Sequence, residues 1–144
     1  MVGYLDSSVV LRHILAGEPT IHHALSCGRV ISSEILEIEC RRVIHRCRMD
    51  GELSDEGLVE AVQRLERVLA GVALVALSQS VKRRAMASFP VSVKTLDALH
   101  LASAAAFSEA EPQETVLVFS HDAEMNRCAR ALGFAAPLEN HVPA

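Results

Sequence analysis

Four acidic residues stand where a carboxylate needs a reason. Asp6 closes the apolar run Val2–Leu5 in VGYLDSSVVL and is followed at once by Ser7 and Ser8. Asp97 is the one acid in TLDALHLASAAAF, Thr95 to Phe107, a stretch that is apolar nearly all round when wound as a helix. Asp122 follows the apolar run Val116–Phe119 after Ser120 and His121. Glu39 lies in SSEILEIECRRV, at the shoulder of a stripe formed by Leu36, Cys40, Val43 and Cys47, with Arg42 and Arg46 along the same side. A lone carboxylate is costly to bury unless it is paired or holds a metal. Carboxylates gathered in one place must take up protons or a cation, and hard ions such as Mg²⁺ or Mn²⁺ favour such oxygen donors.

Each acid also has a plainer account. Asp97 falls in a first helical turn, where backbone N–H groups favour it after a Thr95 cap. Asp122 fits as the N-cap of the following helix, with Ser120 as a rival cap. His100, three residues after Asp97, reads as a satisfied core histidine. Glu34 and Glu37 need no special role, since one is a first-turn dipole partner and the other an i,i+4 mate for Arg41.

The acids depend on the elements that carry them. Val2–Leu5, Arg29–Ser32, Val72–Leu77 and Val116–Phe119 are short, apolar and β-branched, as expected for strands covered on both faces of a parallel sheet. A weaker fifth run lies near Phe134–Leu138. Helical patterns fill Ser7–Ala16, Ile21–Cys27, Ser33–Arg48, Asp55–Ala70, Gln79–Ser88, Leu96–Ser108 and Ala123–Leu132, with Gly17, Gly28, Gly51, Gly71 and Gly133 at their ends. This alternation predicts an α/β three-layer sandwich, a short and mainly parallel central sheet flanked by helices. In such sheets ligands bind outside the carboxyl ends of the strands, the edge to which Asp6 and Asp122 are delivered.

The 144 residues suit a single domain over 1–144, and half of them are hydrophobic, enough for a core without disulfides. With four Phe, one Tyr and no Trp, platforms for stacking single-stranded bases are scarce. The net charge of −4 argues against a module that merely grips nucleic acid and suits an enzyme that clusters acids around a cation. Cys27, Cys40, Cys47 and Cys128 lack CxxC spacing and read as structural thiols of a reducing compartment. No apolar run approaches the ~18–20 residues of a membrane span. The N-terminus opens on a strand instead of a charged leader, so a cytosolic protein without membrane contact is expected.

Taken in order, YLDSSVVLR, SSEILEIECRRV, TLDALHLASA and VFSHDAEMNRCARALGF resemble the PIN-domain nucleases, most closely the toxin ribonucleases of VapBC-type toxin–antitoxin pairs. The match runs over essentially the whole chain. The resemblance implies a PIN-like fold, an acidic quartet at Asp6, Glu39, Asp97 and Asp122 that is both catalytic and metal-binding, and supporting hydroxyls at Ser7 and Ser120. It also implies an endoribonuclease dependent on one or two Mg²⁺ or Mn²⁺ ions, an RNA substrate, a homodimer, and an antitoxin laid over the active-site groove. Such a site activates water for attack on phosphorus. The 2′-hydroxyl is then not needed, and products carry 5′-phosphate and 3′-hydroxyl ends. Arg42 and Arg46 are candidate phosphate contacts, with Arg12 behind them, whereas Lys82-Arg83-Arg84 reads as a solvated helix face.

Two other classes compete. A phosphotransfer domain with an aspartyl nucleophile would want a second acid two residues after Asp6, where Ser8 stands, or a lysine after the late strand, and none lies near Ser120. A non-catalytic PIN-like module that binds protein or RNA is the other rival, and the intact quartet speaks against it.

Overall fold

The computed structural model describes residues 1–140. In chain order its elements are β1 Val2–Leu5, α1 Ser7–Ala16, α2 Ile21–Leu25, β2 Arg29–Ser33, α3 Ile35–Met49, α4 Asp55–Ala70, β3 Ala73–Val75, α5 Gln79–Met86, α6 Thr95–Ala110, β4 Val116–Phe119 and α7 Ala123–Ala131. The strands form one parallel sheet in the order β3-β2-β1-β4. In it Tyr4 is level with Ile31 on one side and Val118 on the other, and Leu5 with Phe119.

Side chains alternate across a strand, and that period divides the core in two. Val2, Tyr4, Ile31, Val116 and Val118 pack against Leu101 and Ala104 of α6 and Met125 and Cys128 of α7. Leu5 and Phe119 point the other way, against Val9, Val10 and Ile14 of α1, Leu36, Cys40 and Ile44 of α3 and Leu65 of α4. The result is the expected three-layer α/β sandwich. At Gly3 a helix approaches the sheet closely. A Cβ there would lie 3.1 Å from the Ala24 carbonyl oxygen and 3.3 Å from both Cys27 Sγ and a Phe119 ring carbon.

Several local expectations are corrected. β3 is an edge strand, hydrogen-bonded to β2 alone, with Ala73 and Leu74 exposed, so the covered strand expected at Val72–Leu77 shrinks to three residues. The run at Phe134–Leu138 makes only a parallel bridge, Leu117 to Ala135. Ser33 belongs to β2, and its Oγ accepts from the Ile35 N–H at 3.2 Å as α3 begins. The buried stripe of α3 is Ile35, Leu36, Cys40 and Ile44, with Val43 and Cys47 half-buried beside it. On α4, Ala61, Leu65 and Val68 are buried and Val62 and Leu69 partly so, leaving Val59 54% exposed. The apolar face of α4 is therefore mostly internal packing. Lys94, not Thr95, is the N-cap of α6, and it makes no side-chain cap. Gly17, Gly51 and Gly133 adopt positive φ, whereas Gly71 does not.

The strand order determines where a site can form. From β1 the chain steps through β2 to β3, then crosses back to place β4 on the other side of β1. After β1 it enters α1 on one face, and after β4 it enters α7 on the other. Two neighbouring strands whose exits diverge leave a crevice at their carboxyl ends. Asp6 and Ser120–Asp122 sit in it.

Candidate active site

Asp6 occupies the N-cap position of α1, yet it makes no side-chain cap there. Its backbone N–H extends the ladder to the Phe119 carbonyl at 3.0 Å, and its carboxylate turns into the crevice, 3% exposed. Two hydroxyls meet its Oδ2: Ser8 Oγ at 2.7 Å and Ser120 Oγ at 2.8 Å. Each hydroxyl in turn accepts a backbone N–H, Ser8 from His121 and Ser120 from Asp122, both at 2.9 Å. Each hydroxyl proton is thus committed to Asp6, and the β1 and β4 exits are laced together through one carboxylate oxygen. Oδ1 is left facing the other acids.

Glu39 reaches the same place from α3. Its Oε1 lies 2.6 Å from His100 Nε2, and its Oε2 accepts from Ser7 Oγ at 3.3 Å. His100 Nε2 is also 3.8 Å from Asp6 Oδ1, and Nδ1 is 2.8 Å from the Tyr4 hydroxyl. Asp122 has its Oδ1 on the Met125 N–H at 2.9 Å, so the plainer expectation of a helix cap is met, and one oxygen remains for the crevice. Asp97 lies in the first turn of α6, half-buried.

The electrostatics tie the four acids together. Burial foremost, then the charges of Asp6 and Asp122 and, more weakly, Glu39, raise the Asp97 carboxyl to about 6, against a smaller opposing pull from His100. Burial pushes His100 down, but the Glu39 hydrogen bond and the charges of Asp6, Glu39 and Asp97 outweigh it, and its pKa rises. Burial and then Asp6 raise the Tyr4 phenol, which stays protonated. Burial, then Glu39 and Asp6, push the Cys40 thiol up to about 12, so it carries no nucleophilic role. Among the described residues no Lys or Arg pairs with any of the four acids. One imidazole cannot offset four carboxylates.

That donor set suits a hard divalent cation: all oxygen, mutually repelling and short of counter-charge. Among the described residues no three acidic, histidine or cysteine side chains are grouped closely enough to hold a metal ion as they stand.

The expected site residues divide as follows. Asp6 and Glu39 meet at His100, Asp97 lies within the electrostatic reach of Asp6, Asp122 and Glu39, and Ser120 supports Asp6 directly. Ser7 supports Glu39 instead of its neighbour Asp6. Arg42 and Arg46 are exposed on α3 three and seven residues beyond Glu39, whereas Arg12 pairs with Glu18 at 3.6 Å. Of the basic run, Arg84 pairs with Glu109. Sequence reasoning passed over Ser8, Tyr4 and the engagement of His100. Ser8 lies two residues from Asp6 and His100 three from Asp97, a spacing that hinted at them without identifying their partners.

The PIN domain family model matches residues 3–131 of this chain. The chain belongs to the PIN domain family. Among solved structures, this PIN domain is similar to a chain of the crystal structure of VapBC2 from Rickettsia felis bound to a DNA fragment from their promoter. The TM-score is 0.65 at 11% identity, covering 94% of this chain and 97% of that one. At that identity the likeness is one of fold. No curated protein matches this PIN domain. Among the described residues no helix is long and apolar enough to cross a membrane.

Proposed function

We propose that this PIN domain, a single domain over residues 1–144, is a divalent-cation-dependent endoribonuclease, the toxin of a VapBC-type toxin–antitoxin pair acting in the cytoplasm. The observation that carries the proposal is the convergence of Asp6, Glu39, Asp97 and Asp122 from four segments on one crevice with, among the described residues, no Lys or Arg partner. Asp6, Asp97 and Asp122, with Glu39, are the residues that would hold one or two Mg²⁺ or Mn²⁺ ions. When bound, such an ion supplies Lewis acidity at the phosphoryl group and lowers the pKa of water.

The chain's own residues do the rest. Ser8 and Ser120 hold Asp6 Oδ2 in place and leave Oδ1 toward the crevice. Glu39 is held at both oxygens by His100 and Ser7. Burial and the neighbouring acids raise the Asp97 carboxyl to about 6, which favours its protonated form as pH falls toward that value. The exposed Arg42 and Arg46 offer phosphate contacts along α3, beside the acids. With water as nucleophile the products carry 5′-phosphate and 3′-hydroxyl ends. A small antitoxin covering the crevice, in keeping with the VapBC2 complex that contains the fold-matched chain, and a homodimer complete the proposed assembly.

The test incubates the parent protein and Asp6→Asn with a pool of structured RNAs in Mg²⁺, Mn²⁺ or chelator, and maps the new ends. Cleavage confined to the parent with either ion, leaving 5′-phosphates, supports the proposal. An unaffected Asp6→Asn, or cleavage persisting in chelator, refutes it. A parent that neither cuts RNA nor binds either ion by calorimetry is the outcome expected of a non-catalytic module.

A further inference from the structure

We propose that His100 is a positioning residue, holding the Glu39 carboxylate at the crevice among the acids that would hold a divalent cation; this rests on the cation-dependent function proposed above. The imidazole is fully buried and gripped at both nitrogens, by Tyr4 at 2.8 Å and Glu39 at 2.6 Å. Its ring stands edge-to-face on Tyr4, with centroids 5.7 Å apart. Tyr4 is itself fully buried in the middle of the sheet, between Ile31 and Val118. The ring orientation is therefore set by the strands and not by solvent.

The direction of the contact with Glu39 follows from that grip. A neutral ring that accepts the Tyr4 proton at Nδ1 carries its own proton on Nε2, and an imidazolium carries one there as well. In both states Nε2–H is donated to Glu39. The same Nε2 stands 3.8 Å from Asp6 Oδ1, so a single N–H edge faces the acids of β1 and α3 together. Among the described residues Glu39 is otherwise anchored only by Ser7 at 3.3 Å, a long contact for a flexible side chain. Repulsion from Asp6 would swing an unanchored Glu39 outward. Nothing local in α3 prevents this, since among the described residues Glu39 pairs with no Lys or Arg. The anchor comes from α6, 61 residues further along the chain.

The test compares Mn²⁺ binding by calorimetry in the full-length parent, His100→Gln and His100→Leu, each checked for a cooperative melt in chelator. The amide nitrogen of Gln reaches the place of Nε2, whereas Leu fills space and donates nothing. His100→Leu is expected to weaken Mn²⁺ binding roughly 10–100-fold, the usual range for removing an outer partner of a ligand, and His100→Gln to recover most of that loss. Equal losses in both variants, or unimpaired binding by His100→Leu, overturn the proposal and leave the cation-dependent function standing. A parent that binds no divalent ion overturns both. Independently of any metal, long-range proton–nitrogen spectra of the folded parent in chelator should show a proton on His100 Nε2 that shifts in Glu39→Gln. An unprotonated Nε2, or one indifferent to Glu39→Gln, overturns the proposal even if His100→Leu fails to fold.

Discussion

Replacing Asp97 by Asn separates the two accounts of that residue. If Asp97 served mainly the first turn of α6, its charge would stabilise the helix by about 0.3–1 kcal/mol, and Asn would lower stability. The crevice argues for the opposite sign. Burial and the neighbouring carboxylates raise Asp97 from 3.8 to about 6, so the fold disfavours its charged form. At about 1.4 kcal/mol per pH unit that rise corresponds to about 3 kcal/mol, which screening at this half-exposed site reduces to about 1 kcal/mol. A carboxyl whose pKa is higher folded than unfolded binds more protons in the native state across that interval. Stability therefore falls as pH climbs from the unfolded value through about 6, and the cost is fully present above it. Set against the dipole, Asp97→Asn should raise the melting temperature in chelator at neutral pH by at most about 2 °C, and the two proteins should coincide only below the unfolded value of 3.8, at about pH 3, where both states carry the proton. Scanning calorimetry at the two pH values reads this directly. At saturating Mn²⁺ the order should invert, because an ion at ~100 times its dissociation constant stabilises the parent alone by about 2.7 kcal/mol. An Asn variant that melts lower than the parent at neutral pH in chelator, or by the same offset at both pH values, would refute the reasoning.

Ser120→Ala should cost about 1–3 kcal/mol in urea unfolding, because it strands the part-buried Asp122 N–H and removes a buried donor to Asp6; a loss under ~0.5 kcal/mol would mean the hydroxyl is replaceable there. Arg42→Ala/Arg46→Ala should raise the KM for RNA and lessen the log–log salt dependence of binding by roughly 0.7 per lost phosphate contact, and an unchanged salt slope would place the RNA elsewhere. Gly3→Ala should destabilise by about 1–3 kcal/mol, since the new methyl meets the Ala24 backbone carbonyl at 3.1 Å; full stability in urea would show that α2 can slide.

Much of this protein was legible one segment at a time. β1 and β4 are short β-branched runs bounded by polar residues, and α1 and α4 end where glycine stops them, so periodicity alone located all four. The four acids stood out because each interrupts an apolar context, and parallel alternation sends Asp6 and Asp122 to one edge. Where tertiary contacts compete with local pattern, the sequence was a weaker guide. β3 reads as a covered strand but has a neighbour on one side only, and Thr95 looks like a cap although the helix starts one residue earlier with Lys94 at that position. The pairing of side chains was decided by the tertiary structure alone. Ser8 and Ser120 meet on Asp6 across 112 residues of chain, and Tyr4, His100 and Glu39 join β1, α6 and α3. Those contacts depend on sheet register and on the rotation of one buried helix against it, set by packing over the whole core. Residue types and spacing therefore identify the carboxylates, and only the assembled layers determine which groups hold them.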